Sequence, residues 1–162
     1  MPGKGRKRFM HFHGGREYMS RFVLSYAGPF MALLLVVLGL TGNLFSSDPL
    51  IIGGQCVGLA LIVWARIAFG RQRFNISARP ADGPLLRKGP YRVIRHPMYA
   101  GASLLLIVTV IGHLNMFTAA IGNLVLIIIP WRIHIEEELL KSTYADYAGH
   151  ASKTKRLIPF VY

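Results

Sequence analysis

Four apolar runs, each ended by polar or turn-forming residues, set the plan of the chain. They are FVLSYAGPFMALLLVVLGL at about 22–40, LIIGGQCVGLALIVWARIAF at about 50–69, MYAGASLLLIVTVIG at about 98–112 and MFTAAIGNLVLIIIPWRI, read as a span over about 116–135. A helix needs about 20 residues to cross the hydrocarbon core. The first two runs reach that length. The last two are shorter or polar at their ends, and only His113, Leu114 and Asn115 join them, which predicts a tight helical hairpin. The expected fold is therefore all-α: a polytopic transmembrane bundle of about four spans. The first run is too long for the apolar core of a cleaved signal peptide. In the second, Gly54 and Gly58 stand four apart, a spacing that lets helices approach closely in lipid. Gln55 and Asn123, polar residues inside spans, are expected to hydrogen-bond between helices.

Charge orients this bundle. The chain has 162 residues, 52% of them hydrophobic, and its 19 Lys and Arg against 7 Asp and Glu give a net charge of +12. The basic residues fall before run one, between runs two and three, and at or beyond the end of run four, whereas TGNLFSSDP and HLN carry no Lys or Arg. The positive-inside rule then puts both termini in the cytoplasm, an N-in/C-in arrangement. That orientation accounts for the basicity, and no nucleic-acid motif accompanies it, so no nucleic-acid partner is expected. The single cysteine, Cys56, permits no intrachain disulfide. Residues 1–21 read as a basic cytoplasmic tail, and 22–162 as one membrane domain. His11 and His13 in the tail lack neighbouring Cys or acidic ligands, so no metal site is expected.

The candidate chemistry lies in GPYRVIRHPMYAG, residues 89–101, at the edge of run three. It belongs to a long cytoplasmic loop with prolines at 80, 84, 90 and 97. Loops of such length in small domains usually serve function. Pro97 suits the first turn of a helix, which places RHPMY where free N–H groups and the helix dipole attract an anion. At the end of run four, Arg132 and Glu136 share a helix face, and Glu136, Glu137 and Glu138 are three of the seven acidic residues. Arg92 reads as a positive-inside anchor, and Arg95 as a structural residue that ties down the loop or the glutamates. His134 reads as a helix-face residue. Residues 137–162 read as an amphipathic segment, with Tyr144 and Tyr147 packing onto the membrane surface.

Together, Arg95-His96-Pro97-Met98-Tyr99-Ala100-Gly101, the Glu136-Glu137 pair about 35 residues beyond Gly101, TYADY and KTKRLIP resemble the isoprenylcysteine carboxyl methyltransferase and phospholipid methyltransferase family of integral membrane enzymes. The resemblance covers about residues 80–160. It implies S-adenosylmethionine as cofactor, a cytoplasmic site around a cofactor loop at 80–101, and a lipophilic or prenylated acceptor drawn from the bilayer. It also implies cofactor contacts at Gly83, Pro84, Leu85, Leu86, Tyr91, His96, Pro97, Met98, Tyr99 and Glu136. Arg132 is expected on the substrate side. A carboxylate acceptor would need no base; an amine or thiol acceptor would, and Glu137 or His134 is then the candidate. Membrane sterol reductases that use NADPH share RHP-x-Y-x-G, but have Asn after the Pro and Glu after the Gly, where this chain has Met98 and Ala102. A reductase is thus the alternative reading, and a non-enzymatic membrane scaffold the third.

Overall fold

Asp48 and Pro49 begin the first long helix of the computed structural model, which describes Tyr26 and residues 29–70 and 85–158. The Asp48 side chain accepts from the Leu50 N–H at 2.8 Å, and Pro49, which has no N–H to satisfy, occupies the first turn. Helix α1 spans Pro29–Leu40, α2 Pro49–Phe69, α3 Pro97–Gly112, α4 Met116–Thr143 and α5 Tyr147–Ala151. A 3₁₀ turn covers Gly89–Arg92. The described residues contain no strand, only an isolated parallel bridge between Ile94 and Lys155.

The α2–α3 seam is built on glycine. A Cβ at Gly101 would stand 2.6 Å from the Gly58 carbonyl oxygen, and one at Gly58 would stand 2.9 Å from the Gly101 carbonyl oxygen. Only hydrogen side chains allow this backbone contact, so the Gly54–Gly58 spacing serves packing within the chain. Gln55 closes the same seam, donating to Thr109 Oγ1 at 3.0 Å and to the Leu44 carbonyl at 2.6 Å. Asn123 differs from expectation. It is exposed and bonds the Ala119 carbonyl of its own helix at 3.0 Å, since a carbonyl one turn back lies within reach of a short amide.

The hairpin between α3 and α4 turns at His113–Asn115. Asn115 caps α4 through the N–H groups of Phe117 and Thr118, each at 3.0 Å, while the Thr118 hydroxyl sits 3.2 Å from the Asn115 N–H. A core of Leu34, Leu38, Leu106, Ile121, Val125, Ile129 and Ile133 joins α1, α3 and α4.

Helices α2 and α4 are long and apolar enough to cross a membrane. Only 11% of the most apolar window of α2 is buried. Leu50, Val57, Leu59, Val63, Trp64 and Ile67 of that helix are exposed, and soluble monomers rarely leave so many large apolar side chains of one helix in water. Of the other two expected spans, α3 has 16 residues, about 24 Å at the helical rise, and α1 is described only from Pro29. Helix α4 runs past the expected end at 135 to Thr143. Its last two turns carry Glu136–Glu138 beyond the most apolar part of the helix, toward the loop that precedes α3.

Candidate functional site

The loop before α3 is seated on the end of α2. Gly89 has φ 56, in the left-handed region, and a Cβ there would lie 2.9 Å from the Ala68 Cβ. The 3₁₀ turn that follows buries Tyr91, whose ring lies 6.4 Å from that of Phe69. Among the described residues the Tyr91 hydroxyl has no hydrogen-bond partner. Burial, and after it the Glu136 charge, pushes its ionisation well above the usual tyrosine range, while Arg66 opposes this. At neutral pH it is a neutral donor still to be used.

His96 is the N-cap of α3 but makes no capping bond with its side chain. Pro97 has no N–H, so the first free donors of the helix are those of Met98 and Tyr99. The His96 ring is buried, 5.6 Å from the Tyr99 ring, and its Nε2 has no hydrogen-bond partner among the described residues. Tyr99 links the two helices. Its hydroxyl donates to Glu136 Oε2 at 2.8 Å and accepts a short bond from Arg132 Nε. The Arg132 guanidinium also stands over the Tyr99 ring, 5.5 Å from its centroid. Arg132 and Glu136, one turn apart on α4, thus converge on one phenol from α3.

Next to this chain lies a second carboxylate. Glu137, 2% exposed, accepts from Arg95 Nε at 2.8 Å through Oε1 and from Arg156 Nε at 3.1 Å through Oε2. Arg156 Nη2 is 2.9 Å from the same Oε2. His96 Nε2 is 3.6 Å from Oε1, beyond hydrogen-bond distance. Arg95 does tie loop to glutamate, as its place in the sequence suggests.

The structure brings Tyr99, Glu136 and Arg132 into direct contact, stacks His96 beside them and places Tyr91 within reach of the Glu136 charge. Pro97 is buried, and Met98, Leu85 and Leu86 are half-buried. Gly83 and Pro84 lie outside the described residues, as do the tail at 1–21 and residues 159–162. Tyr147 corrects the surface-helix expectation: it is 2% exposed and packs inward. Burial, then the nearby Glu137 charge, pushes its ionisation up. Sequence reasoning left Arg156 without a role. Its one signal was its place in the basic closing segment, opposite three glutamates. Among the described residues no group of three His, Cys, Asp or Glu side chains is placed to hold a metal.

The model of the phospholipid methyltransferase family matches residues 50–147, which contain α2, the loop, α3 and α4. No curated protein and no solved structure matches the chain.

Proposed function

Because the chain belongs to the phospholipid methyltransferase family, we propose that it transfers a methyl group from S-adenosylmethionine to a lipophilic acceptor at the cytoplasmic edge of a four-span, N-in/C-in membrane bundle. The observation that carries this reading is the Arg132–Tyr99–Glu136 chain beside the buried His96 ring and the Tyr91 hydroxyl, which has no hydrogen-bond partner among the described residues.

The donor set fits the cofactor. It combines a carboxylate for an ammonium, aromatic faces for a sulfonium, helix N–H groups for a carboxylate, and the Tyr91 hydroxyl and His96 ring for a nucleoside. When bound, S-adenosylmethionine supplies an electrophilic methyl group activated by the positive sulfur. Glu136 holds the cationic end, and the Tyr99 hydroxyl keeps that carboxylate aimed. Met98 and Tyr99 offer backbone N–H groups at the start of α3. Tyr91, and with it Leu85 and Leu86, covers the loop side and excludes water. Gly83 and Pro84 extend that cover by resemblance alone.

Methyl transfer is an in-line displacement and needs alignment and dryness more than a strong base. Arg132 orients an anionic group of the acceptor, a carboxylate or a phosphate, through its planar fork. A carboxylate acceptor is already ionised and requires no base. The acceptor enters from the bilayer, along the apolar surfaces of α3 and α4.

Calorimetric titration of the detergent-purified protein with S-adenosylhomocysteine, with NADPH as the control, tests the reading. Saturable binding of the homocysteine compound alone is expected. Binding of NADPH alone would convert the site into that of a reductase, and binding of neither would leave a scaffold. His96→Ala should weaken binding severely. Arg132→Ala should retain binding and lose turnover.

A further inference from the structure

Three separate parts of the chain meet at Glu137. Helix α4 supplies the carboxylate, the segment before α3 supplies Arg95, and the segment after α5 supplies Arg156. Both carboxylate oxygens are taken by guanidinium groups, at 2.8 Å on one side and 2.9 and 3.1 Å on the other. Arg95 reaches further: its Nη1 donates to the Ala151 carbonyl at 2.8 Å and also to the Thr154 carbonyl.

The backbones run together at the same place. Lys155 N donates to the Val93 carbonyl at 3.1 Å, Arg95 N to the Lys155 carbonyl at 2.7 Å and His96 N to the Arg156 carbonyl at 3.0 Å. The residue that caps α3 is therefore held by the segment that Glu137 anchors. A buried carboxylate engaged on both oxygens by arginines favours its charged form, so it takes up a proton poorly. That is the wrong setting for a general base and a suitable one for a structural joint.

We propose that Glu137, Arg95 and Arg156 form a positioning clasp that fixes His96 and the first turn of α3 in their cofactor-binding geometry, and that Glu137 exchanges no proton with the acceptor. The joint itself stands on the contacts above. Its effect on cofactor affinity rests on the reading in the preceding section.

The test uses the full chain in detergent, with Glu137→Gln, Arg156→Gln and the double variant. It reads amide exchange at Arg95 and His96, whose N–H groups bond residues 155 and 156, alongside affinity for S-adenosylhomocysteine. Each single variant should raise exchange at these two amides at least about tenfold and leave the α2–α3 seam unchanged. Each should also weaken the ligand about tenfold. The double variant should be no worse than about twofold beyond Glu137→Gln, because the two residues act through one contact. Arg156→Lys, which keeps the charge, should recover most of the affinity.

Wild-type exchange at Arg95 and His96 in Arg156→Gln would overturn the clasp. So would a Glu137→Gln variant that binds the ligand normally but does not turn over, since that is the behaviour of a base. If Glu137→Gln does not fold, Arg156→Gln still decides, because the Arg156 side chain is 34% exposed and its loss is the milder one. If the wild type itself does not bind S-adenosylhomocysteine, the cofactor reading fails, and the exchange data alone judge the clasp.

Discussion

At the α2–α3 seam, Gly58 and Gly101 bring two backbones into contact. Around Glu137, two guanidiniums and one carboxylate hold three segments together. The two regions are only a few helical turns apart, yet they rely on different physics. In lipid, apolar side chains gain little by leaving their surroundings, so close packing decides which helices pair. At the end of the bundle, charges have water as an alternative. They remain buried only where each finds a partner. Gly101 links the two regions. It is the last residue of RHPMYAG, and its structural work is to seat α3 on α2, so the motif serves packing at one end and, in the proposed function, ligand binding at the other.

The contrast makes ordered predictions. Arg95→Ala should have the largest effect, destabilising by about 3–5 kcal/mol, because it leaves a buried carboxylate short of a partner and two carbonyls without a donor. Thermal unfolding in detergent reads this as a large fall in midpoint. Gly101→Val should cost about 1–3 kcal/mol or more by forcing the seam apart. It should also loosen α2 against α3 in cross-linking between engineered cysteines, and an unchanged midpoint would refute the contact. Gln55→Leu should cost about 0.6 kcal/mol, in keeping with hydrogen bonds inside membranes. Asp146→Ala removes the exposed Arg87 pair and should cost less than about 1 kcal/mol, an effect that added salt erases.

A pH scan sharpens the same contrast. Burial lowers the His150 pKa, with Arg87 and Arg95 acting in the same direction and Asp146 opposing them. The folded state therefore binds this proton less tightly than the unfolded chain does. Its contribution to stability is present above the unfolded pKa of about 6.5 and is lost as pH falls below that value through the lower folded pKa. His150→Gln should flatten that part of the profile.

How much could be read from sequence divides along the same line. Helix starts were legible because they are local: Asp48-Pro49, Pro97 and Asn115 each mark a beginning within one or two residues of the expected position. The seam was legible as a GxxxG spacing. The end of α4 was not. Its apolar pattern stops near Ile135, but Leu139 and Leu140 carry the helix to Thr143, past Glu137 and Glu138 and their ion pairs. The clasp was half legible. Arg95 stood out beside the glutamates, but its bond to the Thr154 carbonyl spans 59 residues, and no local pattern announces such a pairing. Tyr147 misled for a related reason: an aromatic in a short terminal helix reads as interfacial until the partner that buries it is known.

The most direct test of the central claim compares wild type with Glu136→Gln in S-adenosylhomocysteine titrations, each checked for an unchanged thermal midpoint. Wild-type binding that falls at least about a hundredfold in Glu136→Gln is expected, since the variant removes the charge proposed to pair with the ligand ammonium while keeping the shape that Tyr99 contacts. Equal affinity in the two proteins would contradict the account and move the cofactor away from the Arg132–Tyr99–Glu136 chain.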